Sequence, residues 1–259
     1  MLRAAFRPFL SAITIIVIVV SVSIDADTIR GELIKVEGEV NVVDVHGVRH
    51  SVERYGLVVR ELDTIETATG SKAVVRFTDG SLSIMDQASR IRVEKAGWLS
   101  HLGGKIYFTF NKVFGDSRQV KTRFATLGIR GTTFIVTDDD SGQSVALAEG
   151  LLDIQTSGAA FEIHRQHQLD QFRAYKQQAQ QQQQATQSEF DDYKKQLNRD
   201  FIEYKTSFSL QPNHIVRFDG NRVDEGLIDD DIKAEFEYFE AIAGELLDEF
   251  REQSRQPQQ

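Results

Sequence analysis

The residues able to do chemistry are few and scattered. His164 and His167 stand three apart and share a face if that segment is helical, but two imidazoles supply only half of a zinc site. The other histidines are His46, His50, His101 and His214, and with Cys 0 there is no thiolate to complete a metal set, no disulfide framework and no cysteine for a lipid anchor. Asp138-Asp139-Asp140-Ser141-Gly142 clusters carboxylates as a hard cation requires, but consecutive acids do not match the alternating ligands of an EF-hand. The segment reads as an ordinary hairpin loop. The sequence contains neither a G-x-S-x-G elbow nor a phosphate-cradling glycine loop. The residues therefore assign no catalytic, cofactor-binding or metal site, and the expectation is a non-enzymatic protein.

Two stretches offer recognition chemistry instead. Ala125–Val136 reads ATLGIRGTTFIV, a turn followed by an apolar β-branched run. Gly131 suits a backbone conformation or a close approach that a Cβ forbids. Thr132 or Thr133 can cap free backbone groups at the bend, and the Arg130 guanidinium can staple leftover carbonyls or contact a partner. The aromatic stretch 96–119 holds Trp98, Leu99, Tyr107, Phe108, Phe110 and Phe114. It reads as a layer closing the core or as a ligand-binding face using Trp98 and Tyr107.

The elements around these residues are mostly strands. Glycines 31, 38, 47 and 56 recur at short intervals, the punctuation of a sandwich, barrel or solenoid. Ala73–Ile84 reads as two strands about the Asp79-Gly80 turn, with Ala73, Val75 and Phe77 on one face and Val74 on the other. Arg90–Val93 turns Ile91 and Val93 inward, Ser144–Ile154 reads as two strands about a glycine, and Phe161 and Ile163 suggest one more strand.

Ile129–Phe134 followed by a strand, the opening GEL-x-x-VEGEV, and the closing VALAEGLL resemble the FecR domain, a periplasmic β-module of bacteria. The resemblance covers about residues 29–165. One departure is Glu61-Leu62-Asp63, where the family has a glycine before the aspartate. The resemblance implies a mainly β, solenoid-like domain in which Arg130, Gly131, Thr132, Phe134, Asp79 and Gly80 are structural. FecR itself relays an iron-transport signal to a sigma factor through a cytoplasmic N-terminal domain. Here only Met1–Pro8 precede the apolar run, so that activity is not carried over.

Phe9–Val22 is free of charge and follows Arg3 and Arg7, a pattern that suits a signal peptide and is short for a span of roughly 20 residues. Residues 1–26 are expected to be a cleaved signal or a retained membrane anchor, which makes the body periplasmic.

Beyond residue 165 the composition changes. No glycine lies between Gly158 and Gly220, and glutamine dominates. F-x-x-Y-K occurs at Phe172, Phe190 and Phe201, and spacings of 18 and 11 keep these rings on one helical face. A long helix is predicted over 166–211, a hairpin about Asp219-Gly220 over 212–225, and a second helix over 226–259. Ile232, Phe236, Phe239, Ala243, Leu246 and Phe250 form a heptad-like seam, pointing to an antiparallel helical pair within the chain or a coiled coil with another. Phe172, Phe190, Phe201, Phe236 and Phe239 thus join Trp98 and Tyr107 as candidate partner surface. Residues 189–250 hold 17 acidic and 7 basic residues, and the whole chain has a net charge of -9, which disfavours nucleic acid. The readings that follow are an envelope protein that scaffolds or signals by binding protein partners or itself, a membrane-tethered regulator lacking the cytoplasmic anti-sigma domain, and a ligand- or glycan-binding module.

Overall fold

The computed structural model describes residues 28–52, 55–95, 98–111, 118–165 and 202–255. Strands β1 (Ile29–Glu37), β2 (Val40–Val43), β3 (Arg49–Ser51) and β4 (Leu57–Arg60) open the chain. There follow β5 (Thr64–Thr67), β6 (Lys72–Phe77), β7 (Leu82–Met85), β8 (Arg90–Val93), β9 (Leu99–Thr109) and β10 (Arg118–Lys121). The two longest strands, β11 (Thr126–Asp139) and β12 (Gly142–Gln155), form a hairpin. The series ends with β13 (Phe161–Arg165), β14 (Ile202–Lys205), β15 (Ser207–Leu210), β16 (His214–Asp219) and β17 (Arg222–Leu227). Helices α1 (Asp230–Ala243) and α2 (Glu245–Arg255) complete the described chain.

The register resolves the strands into two layers that share three members. One layer runs β4–β1–β6–β7, then the second half of β9, the second half of β11, the first half of β12, and β16–β17–β13–β14. The other runs β3–β2–β5–β8, then the first half of β9, β10, the first half of β11, the second half of β12, and β15. Each shared strand passes from one layer to the other at glycine: Gly103-Gly104 in β9, Gly131 in β11 and Gly150 in β12. Pairings among the described residues are antiparallel except β9–β10 and β13–β17. The mainly β class holds. The sheet does not close, and this register is not the repeated parallel stacking that marks a solenoid.

Strand alternation places the core. Ala73, Val75 and Phe77 face inward with Ile106, Phe108, Phe134 and Val136, and the other layer contributes Ile65, Ile91, Val93, Leu127 and Ile154. The opposite face of the first layer carries Val74, Leu82, Ile84, Tyr107, Ile135, Ala146 and Ile215. That second apolar face has to be covered, and α1 and α2 cover it with Phe236, Phe239, Ala243, Leu247 and Phe250. The terminal seam therefore packs on sheet, not on a helical partner. The expected single helix is also broken: Gly244 has φ 55 and its N–H caps α1 on the Glu240 carbonyl. After the break the buried position moves from Leu246 to Leu247. At its start α1 is capped by the Asp229 side chain, which accepts from Ile232 N at 3.0 Å.

The long helix expected over 166–211 does not include its last part. Ile202–Lys205, within the third F-x-x-Y-K copy, is strand β14, and Ser207–Leu210 is β15. β14 pairs with β13 from Phe161↔Lys205 to His164↔Ile202, which long-range pairing favours over local helix propensity. Residues 166–201, including Phe172, Phe190 and Phe201, lie outside the described residues, as does the apolar run 9–22. Among the described residues no helix is long and apolar enough to cross a membrane.

Candidate functional site

Where β11 and β12 change layers, their backbones nearly touch. Gly150 has φ 87, and a Cβ there would lie 2.2 Å from the Gly131 carbonyl oxygen and 2.9 Å from the Thr132 Cα. Gly131 itself has φ 61, and the register slips between Arg130 and Phe134. Both positions thus require glycine, one for backbone conformation and the other for conformation and contact.

The bend opens a cleft of about 350 Å³ between the sheet and the terminal helices. Its floor is Gly131, Thr132 and Thr133 of β11 with Thr109 of β9. Thr109 and Thr133 join their hydroxyls at 3.1 Å. Thr132 is 1% exposed, and its hydroxyl has no hydrogen-bond partner among the described residues. The walls are Tyr107, Phe110 and Glu149 on one side and Glu240, Phe250 and Arg251 on the other. Arg251 Nη2 donates to Glu240 Oε1 at 2.8 Å, closing the helical side with an ion pair. Tyr107 is wedged under α1, its ring 6.0 Å from Phe236 edge to face and 5.9 Å from Phe239. Burial, then the Glu240 charge, raises its phenol pKa well above the ordinary value, so it is a neutral hydroxyl.

The segment bearing this bend can now be placed. The model of the FecR protein family matches residues 63–153. The chain carries a FecR domain. The FecR segment runs from the aspartate before β5 to the last part of β12, so it includes the bend, whereas α1 and α2 lie beyond it. No curated protein matches the chain. Two crystal structures of a putative anti-sigma factor from Parabacteroides distasonis align with it at TM-scores of 0.44 and 0.42 and identities of 13% and 12%. They cover 67% and 64% of this chain, which in turn spans 63% and 60% of theirs.

The FecR signature residues divide. Gly131 and Thr132 line the cleft, while Phe134 is fully buried and stacks on Phe108 at 5.1 Å. Arg130 points away: its side chain is 73% exposed, and its ion-pair partner is Asp153 across the β11–β12 pair at 3.6 Å. Among the described residues it makes no hydrogen bond to a carbonyl, and the Thr132 hydroxyl caps no backbone group. Asp79 and Gly80 form the β6–β7 turn, where Asp79 Oδ1 accepts from Ser81 N at 2.7 Å and Arg118 Nη1 lies 2.8 Å from Asp79 Oδ2.

The expected aromatic face does not assemble. Trp98 immediately precedes β9, with Lys121 Nζ 5.0 Å from its ring centre, whereas Tyr107 lies in the other layer beneath α1. Phe236 and Phe239 are buried on the sheet and are not partner surface. Among the described residues no group of three or more His, Asp or Glu could hold a metal ion. His101 is buried in β9, with Nε2 on the Gly104 carbonyl at 3.1 Å and Nδ1 without a partner, and burial lowers its pKa to about 4. Glu149 is a cleft residue that the sequence does not single out, since it sits in a turn-like Glu-Gly step, whereas Thr132 is legible there as a structural motif residue.

Proposed function

We propose that this chain is a non-enzymatic signalling or scaffolding module of the bacterial envelope that works by binding. One observation carries the reading: the cleft has the FecR bend as its floor and α1–α2, outside the FecR match, as its far wall. A group bound there touches both, so occupancy is coupled to how the helices sit on the sheet. The Arg251–Glu240 pair across two helical elements is the contact such a group would perturb first.

The test is genetic and quantitative. Deleting the gene should alter a defined set of transcripts, wild type should restore them, and Glu149→Lys at equal abundance should not. Unchanged transcripts after deletion would remove the signalling reading. Compartment is tested by intact mass from periplasmic and membrane fractions. A soluble species starting after Ser23 or Ala26 supports a free periplasmic module, and a full-length membrane species supports the tethered regulator.

A further inference from the structure

We propose that the cleft binds a single alkylammonium or guanidinium group, a deepening that rests on the reading of this cleft as the binding site. Glu149 supplies the charge. It is exposed on the cleft wall and has no ion-pair partner among the described residues. The other carboxylate, Glu240, is already neutralised by Arg251 at 2.8 Å. Thr132, on the cleft floor, holds a buried hydroxyl with no hydrogen-bond partner among the described residues, so the floor beneath the charge is polar as well as apolar. Tyr107, Phe110 and Phe250 line the cleft with aromatic carbon, which suits the alkyl stem that carries such a cation. An anion would meet Glu149 and gain little from an arginine already paired. The volume, about 350 Å³, is at the small end of ligand cavities and fits one side-chain-sized group.

The same chemistry comes from a free amine or from a lysine or arginine of another protein, and the titration separates them. The full chain is titrated with n-butylammonium, butylguanidinium and uncharged butanol, followed by calorimetry and by the Thr132 methyl resonance. A lysine peptide and its acetylated form make the second arm. One of the two small cations should bind and butanol should not. Glu149→Gln, which alters an exposed residue and leaves the fold intact, should weaken binding by about tenfold. Saturation by small cations with no gain from the peptide assigns a metabolite amine, and a much tighter peptide that loses affinity on acetylation assigns a protein side chain. Binding by neither cation, equal binding of butanol, or an unchanged affinity in Glu149→Gln overturns the proposal. If the transcripts respond as expected but no cation binds, the cation assignment falls and the signalling reading stands. If cations bind but deletion changes no transcript, the reverse holds.

Discussion

Three residues of the bend respond to substitution in different ways, according to what each change collides with or leaves unsatisfied. Gly150→Ala places a methyl 2.2 Å from a backbone oxygen at φ 87, and no side chain can move aside. It should cost about 3 kcal/mol or more by urea unfolding. Thr132→Val removes a hydroxyl that lacks a partner, so it should be neutral or stabilising by up to about 1 kcal/mol. Thr133→Val breaks the 3.1 Å bond to Thr109 and should lose about 1 kcal/mol in the same assay. His101 adds a pH term. Its folded pKa of about 4 lies below the ordinary 6.5, so the unfolded chain takes the proton first as pH falls. That contribution is complete above pH 6.5, is lost as pH drops towards about 4, and amounts to about 3 kcal/mol in all. In His101→Gln the stability curve should be flatter across that window. From the sequence, Gly131 was legible as a constrained glycine because its neighbours form a motif. For Arg130 the sequence leaves two readings open, because a guanidinium that staples and one that lies on the surface are written alike, and the fold places it on the surface.

At the scale of elements, local signals carried well. Asp79-Gly80 and Asp219-Gly220 announced hairpins, and alternation assigned the faces of β6 and β8, because turns and pleats depend on adjacent residues. Long-range facts did not carry. A glycine that ends a strand and one that bends it look identical, so β12 read as two strands about Gly150. A seam at spacings of three and four fits a helix or a sheet equally, so the partner of Phe236 and Phe239 could not be named from spacing. The sheet-packed helices make a direct prediction. Phe239 is fully buried between Tyr107 and the rest of α1, and Phe239→Ala should remove about 3–5 kcal/mol of docking. Limited proteolysis should then cut within 228–255 while β1–β13 remain protected. The polar clamps Lys105–Glu235 at 2.5 Å and Tyr238–Asp86 at 2.9 Å should not hold the helices alone, since both are near the surface.

For the molecule as a whole, the strand pairs that flank residues 166–201 matter most. β13 and β14 are antiparallel neighbours, and Arg165 anchors them through Glu225 at 2.7 Å and Glu203 at 3.6 Å. Both ends of the glutamine-rich segment are therefore fixed by the body. Replacing 166–201 with a short turn should leave the body folded, as its melting temperature would show, because β13 and β14 are antiparallel neighbours that a turn can join. The layer crossings at Gly103-Gly104, Gly131 and Gly150 have a consequence for load. In an ordinary sandwich two sheets can slide or part along a greasy plane. Here three continuous strands run through that plane and rivet the sheets together. Pulled apart in a force spectrometer, the body should resist until hydrogen-bonded ladders shear in both sheets at once. It should give one tall rupture peak, with no early yielding step as the faces separate. A tug delivered to either sheet is thus felt by the other without delay or slack.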